Sequence, residues 1–194
     1  LQAHLSHQEE NIMIGKKNVA FGFLFLVLTA VLGPYMVGKV LPDVDKARME
    51  KQAPLDRLQQ LKENSFEENL QKLPVEVVGQ ANTDGVLALN KAFNAQMDIT
   101  FPRSVHAHGN LEAILNILAG LALCFIAVAR LFKQVISWLF IMGAVLHSGM
   151  LYMLLLGQDW AGKLLLLGPW TVLAALLLLG VATIMGFKGE VVKD

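Results

Sequence analysis

Apolar residues in this chain gather into four blocks, approximately 18–40, 109–129, 134–157 and 163–187, separated by stretches rich in charged and amide side chains. Each block reaches the roughly 20 residues that carry an α-helix across ~30 Å of hydrocarbon. Backbone groups in lipid must be satisfied within their own segment, so each block is expected to be helical. The expected fold is all-α: a polytopic membrane protein, a four-helix transmembrane bundle with a partly helical periplasmic insertion between helices 1 and 2. It divides into a cytoplasmic N-terminal segment (1–17), helix 1 (18–40), the insertion (41–107), helices 2 to 4 (108–187) and a cytoplasmic tail (188–194). The first block follows Lys16 and Lys17 as a signal peptide would. Its apolar run exceeds a usual signal core and no A-x-A-like cleavage site follows, so it reads as a retained anchor.

The insertion is too long and too patterned for a plain linker. Leu55, Leu58 and Leu61 recur every three residues within 44–63, and Ser65-Phe66-Glu67-Glu68 matches a capping box that would open a second short helix through Leu70 and Leu73. Pro74 is expected to stop that helix. Val75-Glu76-Val77-Val78 reads as a short strand, Thr83-Asp84-Gly85 as a turn, and 86–97 as another helix with Val86, Leu89 and Phe93 on one side. No Gly-rich phosphate loop and no ligand cluster occurs in this segment, which reads as a cap on helix ends or on a partner subunit.

Composition sharpens the class. Of 194 residues, 55% are hydrophobic and only 16% charged, where a soluble domain carries about a quarter. Sixteen Lys and Arg balance sixteen Asp and Glu, leaving no basic excess for a phosphate backbone, and nucleic-acid binding drops out. Cys124 is the single cysteine, so internal disulfides and CxxCH haem attachment are excluded. Lys16 and Lys17 before block one, Arg130 and Lys133 in a tight turn between blocks two and three, and Lys188 and Lys193 after block four share one side if both termini are cytoplasmic. This places 41–107 outside, in the periplasm if the membrane is a bacterial inner membrane.

Candidate chemistry concentrates where block two begins. Ionisable groups in a bilayer cost several kcal/mol unless paired or facing a cavity, which makes them functional candidates. His108, Glu112 and Asn116 are spaced i, i+4, i+8 on one stripe, Asn110 lies beside them, and His106 points roughly 200° away from His108. Block three carries His147, Ser148 and Tyr152. Counting at 1.5 Å per residue puts His147 about 15 Å below the outer end, near the level of Asn116 and well below His108, with Tyr152 near Glu112. Such a pocket suits haem on an axial imidazole, a non-haem metal on imidazole and carboxylate, or a quinone held by His, Glu and Tyr. Each residue also has a plain reading: interfacial histidines, a Glu112 latch to Asn116 or His147, belt aromatics at Tyr152, Trp160 and Trp170, and a weak, exposed metal signal at His4 and His7.

The four-span layout, the His106-Ala107-His108-Gly109 start of block two and Gly149-Met150-Leu151-Tyr152 on block three resemble the styrene oxide isomerase group of small membrane haem proteins. The His-Ala-His start is also similar to helix starts in haem-copper oxidase subunit I. The resemblance implies a homotrimer with haem b between protomers, His108 on the iron, and an open face where a small hydrophobic epoxide is isomerised to an aldehyde beside the Tyr152 phenol. The family's asparagine further along helix two has no counterpart; Ile114 occupies that position, flanked by Asn110 and Asn116. The long insertion also exceeds that family's pattern. The alternative is a non-catalytic or electron-transfer accessory subunit of a larger membrane complex, with the same polar side chains latching helices and the insertion docking on partner membrane subunits.

Overall fold

The computed structural model describes residues 13–192, so His4, His7 and Lys193 lie outside the described residues. In chain order the elements are α1 (Gly15–Ala30), α2 (Leu32–Tyr35), a π-helical turn (Met36–Val40), α3 (Leu41–Glu50), α4 (Gln52–Glu63), β1 (Glu67–Glu68), β2 (Gln71–Lys72), α5 (Val75–Leu123), α6 (Arg130–Ala144), a second π-helical turn (Val145–Gly149), α7 (Met150–Leu155), a 3-10 turn (Asp159–Lys163) and α8 (Leu167–Gly186). The chain is mostly helical, and among the described residues three helical runs are long and apolar enough to cross a membrane: Gly15–Glu63, Arg130–Leu155 and Leu167–Gly186. The expected second span is the end of α5, where His106, His108, Asn110, Glu112 and Asn116 interrupt the apolar run.

Two compact units are present, one formed by residues up to Val31 together with Val105 onward, the other by Leu32–Ser104. In the first, α1 meets α5 through small residues. A Cβ built on Gly15 would lie 1.9 Å from the Gly120 carbonyl oxygen, one on Gly22 would lie 2.7 Å from that of Ala113, and one on Gly109 would lie 2.3 Å from Thr29 Cγ2. Gly15, Gly22 and Thr29 recur every seven residues, so backbones approach closely along one seam, as small residues allow between apolar helices. Ile136 and Phe140 of α6, Ala175 and Ala182 of α8, and Ala119 and Leu123 of α5 form the main apolar core. Outward positions are apolar too, Leu24 being 74% and Ile184 88% exposed, the inverse of a water-facing surface.

Helix α5 stops at Leu123 and not at 129. The backbone beyond it pairs with the tail instead: Ile126 bridges Phe187, and the amides of Ala127, Lys188 and Val192 donate to the carbonyls of Gly186, Phe125 and Cys124 at 2.7, 2.7 and 2.8 Å. Arg130 and Lys133 therefore open α6 rather than lying in a tight turn, and Lys133 is buried.

The second unit is where local signals misled. Ser65-Phe66-Glu67-Glu68 opens no helix; Glu67 pairs with Lys72 and Glu68 with Gln71 in a two-stranded hairpin. Ser65 and Phe66 have φ of 54° and 60°, outside the extended conformation an N-cap requires, and Asn69 and Leu70, at 53° and 64°, make the two-residue turn. Pro74 stops nothing: its carbonyl accepts from the amides of Val77 and Val78 at 3.0 and 3.2 Å, so it starts α5. Val75–Val78 is thus helical and not a strand, and Thr83-Asp84-Gly85 is helix interior rather than a turn. Gly85 is a packing glycine, since a Cβ there would lie 2.3 Å from Leu58 Cδ1. The expected helix over 86–97 is part of α5. Met36, Val44 and Ile99 form this unit's own core with Val40, Leu41 and Ala95.

Candidate functional site

Glu112 of α5 is the centre of the polar chemistry. It is 6% exposed, and both carboxylate oxygens are engaged by the π-helical turn that follows α6. Oε1 lies 2.5 Å from His147 Nδ1, while Oε2 accepts from Ser148 Oγ at 2.5 Å and from the Ser148 amide at 3.3 Å. The extra residue in a π-helical turn offsets the following side chains, a feature frequent at functional sites. Here His147 and Ser148, adjacent in sequence, both reach one carboxylate. Gly168, near the start of α8, backs the turn: a Cβ there would lie 2.4 Å from the His147 amide nitrogen.

His108, one turn before Glu112, is exposed, and its ring lies 4.9 Å from that of His147, tilted by 60°. Its ring nitrogens have no hydrogen-bond partner among the described residues. The depth count that placed His147 well below His108 is overturned by this contact. His147 stands level with Glu112 and His108, and not with Asn116, because the helix ends do not coincide with the ends of the apolar blocks.

His106 and Asn110 belong to a different cluster. His106 Nδ1 lies 2.9 Å from the Thr29 carbonyl oxygen, Thr29 Oγ1 donates to Asn110 Oδ1 at 2.8 Å, and Asn110 Nδ2 lies 3.4 Å from each His106 ring nitrogen. The two histidines therefore face different partners, as their helical offset requires. Asn116 is engaged elsewhere again. Its Oδ1 accepts from Asn18 Nδ2 at 3.1 Å, and its Nδ2 donates to the carbonyls of Glu112 and Phe140 at 3.0 and 3.1 Å. Asn18 Nδ2 also donates to the Ser137 carbonyl at 2.9 Å, and Ser137 Oγ donates to Asn18 Oδ1. Asn18, Asn116 and Ser137 thus tie α1, α5 and α6 together, all fully buried. Tyr152, on α7, is half-buried, and its hydroxyl has no hydrogen-bond partner among the described residues.

Asn18, Thr29, Ser137 and the role of Ser148 escaped the sequence reading. Asn18 was visible as a lone amide in an apolar block, whereas serine and threonine interrupt hydropathy too little to stand out. Among the described residues no group of three His, Cys, Asp or Glu side chains is placed to hold a metal ion. Comparison with family models, with curated proteins and with solved structures finds no match for this chain.

Proposed function

We propose that this chain is an integral membrane haem-b protein, in which His108 would hold the iron and His147, Glu112 and Tyr152 would supply polar groups beside it. The observation that carries the reading is the His108–His147–Glu112–Ser148 chain: an exposed imidazole with uncommitted nitrogens beside a second imidazole tethered to a buried carboxylate. One imidazole suffices to hold haem, whereas a non-haem ion needs a fuller donor set than these residues offer. His108 alone would hold the iron, while His147, committed to Glu112, would stand beside it. Bound there, haem b would supply a Lewis-acidic or redox-active iron.

This chain's own residues do the rest. Glu112 and Ser148 hold His147, Gly168 leaves room for its backbone, and the Tyr152 hydroxyl is available to donate to a substrate oxygen. Epoxide isomerisation is the activity that the family resemblance adds. The proposed setting is a bacterial inner membrane crossed four times, both termini cytoplasmic and the insertion periplasmic, in a homo-oligomer that is a trimer by resemblance. The fourth span would be the polar end of α5, where Asn110, Glu112 and Asn116 are paired and His108 is left for the cofactor.

The test is an optical spectrum of the detergent-purified protein from a haem-replete host. A Soret band is expected in wild type and in His106→Ala and largely lost in His108→Ala; a haem-free wild type, or equal loss in both variants, overturns the reading. A second reading, the accessory subunit, is favoured by the exposed stripe of Val86, Leu89, Phe93 and Met97 on α5. It expects haem-free protein that migrates with other membrane subunits.

A further inference from the structure

Within the Leu32–Ser104 unit, α5 presents three faces. Through the first it packs on its own chain: Gly85 meets Leu58, and Ala95 and Ile99 pack against Met36 and Val44. The second is an exposed charged line, Asp84, Lys91 and Asp98, spaced by seven residues. The third is apolar and uncovered, with Val86, Leu89, Phe93 and Met97 exposed by 56%, 46%, 62% and 50%. At roughly 100° per residue these four side chains fall within roughly 80° of one another, and the charged line lies roughly 120–160° from Val86. Steps of three and four residues are those of a helix–helix seam, and no charged residue falls on it.

We propose that this stripe is where copies of the chain meet, α5 against α5 in parallel. The inference rests on the homo-oligomer of the reading above and supplies its contact outside the membrane. Copies inserted in one membrane in one orientation are related by rotation about the membrane normal, so Phe93 stands at the same height in each and every copy offers its neighbour the same stripe. A face that meets its own image cannot carry charge of one sign, and this one carries none. Beside it lies a cavity of about 310 Å³, lined by Val44, Leu89, Ala92 and Phe93, which is a hole for an aromatic knob such as the partner's Phe93. Arg48 and Lys51 also line that cavity, so an acidic helix of a foreign subunit is the competing occupant. Four side chains cover less than the about 800 Å² a side of a standard soluble interface. Confinement of the copies to one membrane offsets this by raising their effective concentration.

The experiment is a cysteine scan of the full-length protein in native membranes, in a Cys124→Ser background, with oxidant added and covalent dimer read on a non-reducing gel. Val86→Cys, Leu89→Cys and Phe93→Cys should form dimer several-fold more than Leu87→Cys and Lys91→Cys, which are also exposed but lie roughly 100–140° around the helix from Val86. Phe93→Asp alters a side chain that is 62% exposed and sets like charges against one another, so it should abolish the Val86→Cys dimer, whereas Phe93→Leu should keep it. Equal cross-linking on and off the stripe overturns the proposal, as does a Val86→Cys dimer untouched by Phe93→Asp. Absence of any dimer from the stripe positions, the result a foreign subunit would give, overturns it too. The Soret band is read on the same membranes: its absence overturns the haem reading and leaves the cross-linking pattern standing, so the two failures are distinguishable.

Discussion

Gly168 and His147 are in backbone contact: a Cβ built on Gly168 would lie 2.4 Å from the His147 amide nitrogen and equally close to its Cβ. No side-chain rotation relieves such an overlap, so α8 would have to move away from the π-helical turn. Gly168→Ala is expected to destabilise the folded protein by about 1–3 kcal/mol and to loosen the His147–Glu112 bond. Thermal denaturation in detergent, with the His147 ring signals as a local probe, measures both; an unshifted melting temperature with unchanged ring signals would show that the contact is soft.

The Asn18–Asn116–Ser137 network predicts coupled mutants. Removing the Asn18 amide leaves Asn116 Oδ1 and the Ser137 carbonyl without their donor in a buried setting. Asn18→Ala and Asn116→Ala should each cost about 1–2 kcal/mol, and the double variant clearly less than the sum, because both remove the same bond. Denaturation of the four proteins in one detergent gives the coupling energy. Strict additivity would mean that the network does not hold the helices.

Leu70 has φ of 64° at the second position of the hairpin turn and is 96% exposed, so its side chain contributes no packing to offset the left-handed backbone. Leu70→Gly should strengthen the hairpin by about 0.5–1 kcal/mol. The Leu73 amide, which donates to the Phe66 carbonyl at 3.0 Å, should exchange its hydrogen more slowly. Faster exchange in the variant would contradict this.

Topology is testable with one introduced thiol. In a Cys124→Ser background, Asn82→Cys places a cysteine on an exposed position of α5. If the insertion is periplasmic, an impermeant maleimide labels it in intact spheroplasts. Labelling only after the membrane is opened would reverse the orientation.

Hydropathy alone determined that this chain is helical and strongly apolar, because burying backbone in an apolar setting leaves few alternatives to a helix, and helical spacing alone separated His106 from His108. It also brought Glu112 and His147 into one set, since ionisable groups in apolar blocks are too costly to be incidental. What only the tertiary structure decided was pairing. Helix α5 begins far before His108, so a depth count started at His108 misplaces His147, and the π-helical turn brings Ser148 as well as His147 onto Glu112. Asn116 was drawn away to Asn18 for the same reason: which face of α1 meets α5 depends on glycines that let two backbones touch. In the insertion, the capping-box residues became a hairpin and the apparent strand and turn became helix, because short motifs of a few residues are weaker than the packing of Leu58 on Gly85 and of Val44 on Ile99.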